Sequence, residues 1–347
     1  MNIVITGNMG YIGPTLVRML LSSEPDANIY GIDSGFFAHC LTGVRSFPEH
    51  NLKAQFFRDI RDIDETLLQG MDGVIHLAAI SNDPMGKAFE EVTADVNYRA
   101  SVKLAKLARK AGVGRFVFAS SCSVYGYAEG EARDERSELN PLTAYARSKI
   151  ATEKDIEPLA SEEFVITSLR FPTACGMSDR LRLDLVLNDF VASAVSTGKI
   201  RILSDGTPWR PLIDIKDMSR SMSWAVERNP EDGGNFLAVN VGRTEWNYQV
   251  RDVAEAVRAE MPHVEIEVNK DAMPDKRSYQ VDFGMYAGLA PDHLPEVDLA
   301  QSIRELRKGL TDMGFDNGEF RNSDFMRLKV LTGLRERGML DEELRWQ

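Results

Sequence analysis

The sequence contains few cysteines and no pattern of histidines that would hold a metal. Of its 347 residues only three are cysteines, Cys40, Cys122 and Cys175, and no two of them form a CxxC pair. This scarcity argues against a disulfide framework and against a structural zinc site, and it is typical of a protein from a reducing compartment. His39 and His76 have no partners at metal-ligand spacing, so no metal is expected.

The chain also lacks an excess of positive charge and any long apolar run. Its formal net charge of −12 disfavours nucleic acid and anionic membranes as partners. No segment approaches the roughly 20 consecutive apolar residues of a membrane span. The first apolar run is short, has no basic region before it and leads directly into glycines, so it predicts a strand rather than a signal peptide. We therefore expect a cytoplasmic protein.

What the chain does have is an alternation of apolar runs and helical patterns. Hydrophobic residues make up 43% of the sequence, enough for a large core. Helices are predicted over Asn97–Ala111 and Ala144–Leu159, and the charged segment from Ile303 to Trp346 is expected to be helical. Strands are predicted at Ile3–Thr6, Asn28–Ile32, Ala54–Phe57, Gly73–Ala78, Arg115–Ser120, Val165–Phe171 and Asn235–Val241, with two short ones at Lys199–Leu203 and Val264–Val268.

Such an alternation indicates a parallel sheet covered by helices on both faces. We predict an α/β fold built on a doubly wound parallel sheet, the Rossmann arrangement, over residues 1–175, to which a segment near 210–242 returns. Residues 176–347 are expected to form a smaller, mixed α/β domain that binds substrate.

Three glycines, Gly7, Gly10 and Gly13, lie between the first predicted strand and the helix that follows it. Glycine at such a junction permits a tight turn and a close approach of a ligand to the backbone. The N-terminus of the helix then offers unpaired N–H groups and a positive dipole end to a pyrophosphate. The alternative is a glycine-rich turn that binds nothing.

Asp33 decides between these interpretations, because it ends the second strand twenty residues after Gly13. Dinucleotide-binding folds place a carboxylate there against the adenosine ribose. Such a carboxylate repels a 2′-phosphate, and neither Ser34 nor Gly35 supplies a compensating cation. Although Asp33 could be an ordinary turn residue, its combination with the glycines favours a dinucleotide site, with NAD preferred over NADP.

A second cluster carries acid–base chemistry. Tyr145 and Lys149 are four residues apart at the start of a predicted helix, so they lie on one face. A phenol has a pKa near ~10 and is a poor base at neutral pH. A neighbouring ammonium and an oxidised nicotinamide both favour the phenolate and are expected to lower that pKa. The alternative is a surface tyrosine packed over a lysine stem.

Taken in order, these motifs resemble those of the extended short-chain dehydrogenase/reductases that act on nucleotide sugars. The resemblance covers nearly the whole chain. Its motifs are GNMGYIG at residues 7–13, Arg58-Asp59-Ile60, His76-Leu77-Ala78-Ala79, SSCSVYG at residues 120–126, YARSK at residues 145–149, Leu169-Arg170-Phe171 and Arg210-Pro211-Leu212-Ile213.

The resemblance implies roles for individual residues. Ser121 is expected to orient the sugar, Tyr145 to act as the base and Lys149 to activate it. Asn188, Arg210 and Arg277 are expected to bind the nucleotide diphosphate, although each arginine could instead be a solvated surface charge. The cofactor-binding residues that it implies are Gly7, Gly10, Tyr11, Ile12, Gly13, Asp33, Asp59, Ile60, Leu77, Ala78, Ala79, Asn97, Tyr145, Lys149 and Pro172.

The family resemblance further implies a homodimer, formed through the helices over Asn97–Ala111 and Ala144–Leu159. Because the second of these helices carries Tyr145, pairing would also steady the catalytic residue.

The chain departs from the family pattern just before the VYG tripeptide. Family members that dehydrate or decarboxylate a nucleotide sugar carry a glutamate there, whereas this chain has Cys122 and Ser123. We interpret Cys122 as a small packed residue rather than an acid–base group. After Leu169-Arg170 the usual asparagine is replaced by Pro172-Thr173. Asp83, next to Asn82, is open to two interpretations, a second proton shuttle and an Asx turn before Pro84.

These observations favour an NAD-dependent nucleotide-sugar epimerase that acts at C4 through a transient 4-keto intermediate. A reductase of 4-keto nucleotide sugars needs the same groups and differs in releasing its cofactor at every turnover. A non-catalytic dinucleotide-binding sensor is the third hypothesis, and the intact Ser121, Tyr145 and Lys149 argue against it. The identity of the nucleotide and of the sugar stays open.

Overall fold

The computed structural model describes residues 1–81, 83–128, 130–269 and 278–347. The strands found there are β1 (Asn2–Thr6), β2 (Asn28–Asp33), β3 (Ala54–Phe57), β4 (Gly73–His76), β5 (Arg115–Ser121), β6 (Val165–Phe171), β7 (Thr173–Cys175), β8 (Lys199–Ile202), β9 (Trp209–Asp214), β10 (Phe236–Asn240), β11 (Asn247–Gln249) and β12 (Glu265–Val268).

The α-helices of the same residues alternate with these strands. They are α1 (Gly13–Ser23), α2 (Asp83–Ala88), α3 (Glu90–Ala94), α4 (Ala100–Lys110), α5 (Ala144–Ile156), α6 (Val186–Thr197), α7 (Ile215–Glu227), α8 (Val250–Glu260), α9 (Gly284–Leu289), α10 (Leu299–Asp312) and α11 (Arg327–Glu336). Within the described ranges, no helix has the length and apolar character needed to cross a membrane.

Seven strands form one parallel sheet in the order β3–β2–β1–β4–β5–β6–β10. The chain runs outward from β1 to β3, then returns and continues from β4 on the other side of β1. In a doubly wound sheet of this kind, ligands bind at the carboxyl ends of the strands where the direction reverses. The predicted fold class is confirmed, including the late strand that rejoins the sheet.

Alternating side chains place the sheet between two apolar layers. Ile3 and Ile5 of β1 point into a core shared with α1 and α7, whereas Val4 points into the opposite core with residues of α4. Every residue of β6 is buried. A strand buried on both faces reads as a continuous apolar run, which is why the sequence located these strands to within about two residues.

Two smaller sheets build the rest of the molecule. β9 lies between β7 and β11, and β8 pairs with β12 in parallel. These strands, with α6, α8 and α10, pack on the same extended core as β1, α1 and α7. The two units therefore share one apolar interior.

The end of the chain differs from the prediction. The segment 303–346 was expected to be helical throughout, but α10 ends at Asp312, α11 covers Arg327–Glu336, and Leu340 then pairs with Trp346 in an antiparallel bridge. α11 packs against residues of the N-terminal half such as Ile80 and Met85. The predicted assignment of all residues after 176 to one substrate domain therefore does not describe the contacts of the last twenty or so residues.

One predicted helix begins differently. The expected helix over Asn97–Ala111 starts as a π-helical turn, Asp95–Arg99, and becomes regular only in α4. π-helical turns occur frequently at functional sites. Here the wide turn places the Asn97 carbonyl where the hydroxyls of Ser101 and Thr152 both donate to it, at 2.8 and 2.9 Å.

Candidate active site

A cavity of about 980 Å³ lies at the carboxyl ends of the sheet strands. Its walls come from the glycine turn after β1, the ends of β2, β4, β5 and β6, and the start of α5. Further walls come from the segment that precedes α6, from β9 and from α11. The cavity thus reaches from the predicted dinucleotide residues to the predicted substrate residues. This position is the one that the topology of the sheet predicts for a ligand.

The glycine turn has no room for side chains. Gly7 has φ 76°, and a Cβ on it would lie 2.6 Å from the backbone nitrogen of Ala78. Gly7, Gly10, Tyr11 and Ile12 line the cavity. This backbone cradle at the N-terminus of α1 fits the pyrophosphate of a dinucleotide.

Gly13 has a different task from the one predicted for it. It does not line the cavity, and a Cβ at this position would lie 1.8 Å from the carbonyl oxygen of Asn8. The third glycine therefore keeps the first turn of α1 close to the preceding loop, and it shapes the cradle rather than contacting a cofactor.

Asp33 ends β2 and faces the cavity. Its Oδ2 accepts the N–H of Met9 at 3.0 Å, and its Oδ1 accepts the N–H of Gly35 at 2.7 Å. Burial raises the pKa of this carboxyl, and the two backbone donors oppose that rise. Each oxygen keeps an acceptor site for a further donor. The site fits the hydroxyls of an adenosine ribose.

Asp59 caps the start of the neighbouring turn, Ile60–Asp62. Arg61 donates from Nε and Nη2 to the two oxygens of Asp59, at 2.9 and 2.6 Å. Burial works against ionisation of Asp59, yet these hydrogen bonds and the charge of Arg61 lower its pKa. The cofactor residues predicted after β3, β4 and β6 line the cavity: Asp59, Ile60, Leu77, Ala78, Ala79 and Pro172.

Tyr145 and Ser121 come together as predicted from their motifs. Ser121 ends β5, Tyr145 lies in the first turn of α5, and their side chains share a hydrogen bond. The hydroxyl of Thr143 accepts the N–H of Ala146 at 3.1 Å and so caps α5. The cap fixes the start of the helix and thereby the position of the phenol.

The ionisation of Tyr145 and Lys149 differs from the prediction. Burial, followed by the charge of Asp83, raises the pKa of Tyr145 to about 12. Burial likewise lowers the pKa of Lys149 to about 7, although Glu153 opposes the change. The Lys149 Nζ donates to the carbonyl of Ala119 at 2.7 Å and lies 5.4 Å from the centre of the Tyr145 ring. The phenol pKa is thus raised rather than lowered, and the charge that opposes the rise is that of Arg182 rather than that of Lys149. The expected lowering by an oxidised nicotinamide stays a prediction.

Behind Lys149 lies a buried ion pair that accounts for the LRF motif. Arg170 donates from Nη2 to Glu153 at 2.7 Å and from Nε to both of its oxygens. Arg170 Nη1 also donates to the hydroxyl of Tyr125 at 3.2 Å. The pair joins β6 to α5, so Arg170 supports the helix that carries Tyr145 and Lys149.

Two predicted contact residues serve the protein itself. The Asn97 amide spans the backbone of Ile80, accepting its N–H at 2.7 Å and donating to its carbonyl at 3.0 Å. Asn188 accepts the N–H of Gly176 and donates to the Tyr11 hydroxyl and the Arg182 carbonyl. Both side chains are buried and neither lines the cavity. Their polar atoms are used in holding loops, so their assignment to cofactor and diphosphate binding gains no support from the cavity and stays a prediction.

The two predicted arginines have different outcomes. Arg210, at the start of β9, lines the cavity, and its Nη1 donates to the carbonyl of Trp209 at 2.8 Å. Arg277 lies outside the described residues.

Sequence reasoning missed several polar groups in the cavity. Arg182 and Asp184 form a buried ion pair there, with Nε 2.6 Å from Oδ1, and Arg182 also donates to the Ser81 hydroxyl at 2.9 Å. None of the family motifs includes this pair, which lies in the loop before α6. The hydroxyls of Ser120 and Ser123 are buried, line the cavity and have no hydrogen-bond partner among the described residues. Such unsatisfied hydroxyls indicate a polar ligand.

Cys122 lies just outside the cavity. It is fully buried, its thiol donates to the carbonyl of Arg170 at 3.1 Å, and burial raises its pKa well above the usual value. A thiol held in this way is not an acid–base group, in agreement with the packed-residue interpretation.

Comparison with known proteins agrees with this geometry. A family model described as the NAD dependent epimerase/dehydratase family matches residues 3–242. A UDP-glucose 4-epimerase of Streptomyces lividans is 28% identical over 285 residues, which cover 75% of this chain and 81% of the relative.

Solved structures show the same fold. A protein named MoeE5, in complex with UDP-glucuronic acid and NAD, is similar with a TM-score of 0.77 and 23% identity, over 90% of this chain and 99% of that one. An NAD-dependent NDP-hexosamine 5,6-dehydratase involved in tunicamycin biosynthesis has a TM-score of 0.76 and 23% identity, over 91% of this chain and 99% of that one.

Proposed function

This chain belongs to the NAD-dependent epimerase/dehydratase family, and from that premise we propose that it is a nucleotide-sugar epimerase that acts at C4 through a transient 4-keto intermediate. The observation that carries the proposal is the continuous cavity, which is lined by the glycine turn, by Ser121 and Tyr145 and by Arg210. A sugar held there reaches the phenol and the nicotinamide end of a bound NAD together.

The chemistry follows from what these side chains can do. Ser121 holds the C4 oxygen in place, and Tyr145 accepts the hydroxyl proton as hydride leaves C4. NAD⁺, held by the glycine turn and Asp33, would supply the acceptor for that hydride and the source for its return to the opposite face of the ketone. Tyr145 gives the proton back to the C4 oxygen in the return step. Burial raises the pKa of Tyr145 to about 12, against the lowering effects of the Ser121 hydrogen bond and the charge of Arg182, and the positive charge of an oxidised nicotinamide would favour the phenolate further.

Dehydration is less compatible with the groups present. Neither Cys122 nor Ser123 is a carboxylate, and Cys122 is buried. Asp83 lines the cavity and its charge acts on Tyr145, but its Oδ1 accepts the hydroxyl of Thr143 at 2.8 Å. We interpret Asp83 as a residue that holds the start of α5 against α2.

The substrate side is proposed to bind a nucleoside diphosphate. Arg210 is expected to contact the diphosphate, since the guanidinium fork matches phosphate oxygens. Arg277 is proposed as a second contact, on the strength of the family resemblance alone. The names of the similar proteins refer to UDP sugars and an NDP-hexosamine, which supports this substrate class.

Purified protein tests the activity directly. We expect it to carry NAD(H) after purification, detected by absorbance and mass spectrometry of a denatured extract, and to convert a nucleotide sugar to its C4 epimer with no net change in NADH. Consumption of one NADH per product would instead support a 4-keto reductase. A panel of UDP, GDP, CDP and dTDP sugars without any turnover would contradict the proposed substrate class.

We also propose a homodimer through α4 and α5. Tyr98, in the π-helical turn before α4, donates to Asp155 of α5 at 2.5 Å, so the two helices present a joined surface. Light scattering at micromolar concentration should give twice the monomer mass, and a monomer there would contradict the arrangement.

A further inference from the structure

Residues 340–347 fold into a compact hairpin after α11, which we call the 340–347 hairpin. Leu340 pairs with Trp346, and the N–H of Asp341 donates to the carbonyl of Arg345 at 3.0 Å. The Asp341 Oδ1 accepts the N–H groups of Glu343 and Arg345 at 2.9 and 2.8 Å. The segment is thus a hydrogen-bonded unit with a defined shape.

The hairpin is fastened to both segments predicted to hold the adenosine half of a dinucleotide. Trp346 Nε1 donates at 2.6 Å to the carbonyl of Ser34, the residue after Asp33. Arg61, which holds Asp59, donates from Nη1 to the carbonyl of Glu343 at 2.8 Å. These contacts span more than 280 residues of sequence and converge on one end of the cavity.

Two further contacts strengthen the attachment. Arg345 Nη1 lies 2.6 Å from Asp62, at the end of the turn that Asp59 begins. The rings of Trp346 and Phe36 lie 5.6 Å apart, and Phe36 lines the cavity.

Leu344, at the tip of the hairpin, points into the protein. It is 1% exposed, lines the cavity and packs in the apolar cluster that contains Leu331 and Met85. Its φ of 54° is the only positive value on a non-glycine residue among the described residues. A leucine rarely adopts this conformation, so the surrounding contacts hold it there and turn its side chain inward.

We propose that the 340–347 hairpin is the outer wall of the adenosine end of the NAD site and keeps the cofactor bound between turnovers. Leu344 supplies the apolar surface of the wall. The hydrogen bonds of Trp346 and Arg61 attach the hairpin to the protein segments predicted to contact the ribose and the adenine. Removing the wall opens that end of the cavity to water and speeds cofactor release. An epimerase gains from this, because it oxidises and reduces with the same cofactor molecule.

The test compares the double variant Leu344→Ala/Trp346→Ala with the parent by isothermal titration. Cofactor-free protein is titrated with NAD⁺, ADP-ribose and UDP. ADP-ribose contains the adenosine half of NAD and lacks nicotinamide. We expect the Kd of NAD⁺ and of ADP-ribose to rise about tenfold together, the size of losing one buried apolar side chain, with the Kd of UDP unchanged. The fraction of purified protein that carries NAD(H) should fall in parallel.

Glu342→Ala is the matched control, since Glu342 is exposed on the same hairpin. Phenylalanine at position 346 keeps the ring packing that alanine removes, so Trp346→Phe should retain part of the affinity for NAD⁺. Kd values for NAD⁺ and ADP-ribose within twofold of the parent would overturn the proposal, as would an equal loss for UDP accompanied by a lower melting temperature, which would indicate a general loss of structure. These binding readouts need no turnover, so they stand apart from the test of the proposed activity.

Discussion

The two ends of the cavity are built from different kinds of group. The dinucleotide end is shaped mainly by the backbone. The glycine turn leaves no space for a Cβ atom at Gly7, and backbone N–H groups hold the carboxylate of Asp33. At the substrate end the lining groups are side chains from separate segments, with Arg182 and Asp184 from the loop before α6 and Arg210 from β9. A backbone of this shape can be formed by few sequences, so it leaves a recognisable sequence motif. Side chains from dispersed positions can be exchanged one at a time, so they leave no such motif.

Tyr145 lies where the two ends meet, and its loss should have the largest effect. Tyr145→Phe removes the proton acceptor and little contact area, so turnover should fall about 10³-fold, within the range that a positioned acid–base group contributes, while NAD stays bound. Steady-state kinetics and cofactor content measure the two effects. Tyr30→Phe is the control for loss of a phenol elsewhere, since Tyr30 lies in β2 and does not line the cavity. Activity within a few-fold of the parent in Tyr145→Phe would refute the assigned role.

A glycine substitution probes the backbone-built end. Gly7→Ala brings a Cβ within 2.6 Å of the Ala78 nitrogen, so the cradle must distort and NAD affinity should fall more than about tenfold, the scale of overpacking strain. Gly112→Ala is the matched control, because Gly112 also has positive φ but open space around it. Equal effects of the two substitutions on NAD affinity would show that backbone strain, rather than the cradle, is responsible.

The side-chain end is probed by Arg210→Ala. Binding of every nucleotide sugar should weaken by about 1.5–3 kcal/mol, the scale of a charge-assisted hydrogen bond, with NAD affinity unchanged. Thermal shift in the presence of NAD and titration calorimetry both report it. Arg258→Ala, which removes a surface arginine paired with Glu255, should leave binding unaltered. A sugar-dependent loss in Arg210→Ala would place the arginine at the sugar rather than at the diphosphate.

The smallest expected effect is a shift in pH dependence. The charge of Asp83 raises the pKa of Tyr145, so Asp83→Asn should lower that pKa and move the ascending limb of the profile of kcat/KM toward lower pH. Asparagine can still accept the hydroxyl of Thr143, so the cap of α5 is kept. Asp312→Asn is the control, because Asp312 is an exposed carboxylate paired with Lys308. An unmoved limb in Asp83→Asn would show that the carboxylate does not act on the phenol.

Much of the fold could be predicted because the sheet is buried on both faces. Its strands appear as apolar runs, and β6 lies where Val165–Phe171 was predicted. The helical expectation after Ile303 failed because charged residues at helical spacing do not reveal where a chain turns back. The π-helical turn at Asp95–Arg99 carries no periodic signal of its own, since it depends on the contacts of Asn97 with Ile80, Ser101 and Thr152.

The sequence by itself determined the parts of this protein whose chemistry is local: the glycine turn, Asp33 at a strand end, and Tyr145 four residues from Lys149. Each depends on neighbours along the chain, so its spacing can be read directly. Only the tertiary structure decided that Asn97 and Asn188 hold loops, that burial raises the pKa of Tyr145, and that Leu344 and Trp346 reach Arg61 and Ser34. These outcomes depend on burial and on contacts between distant segments, which no local pattern records.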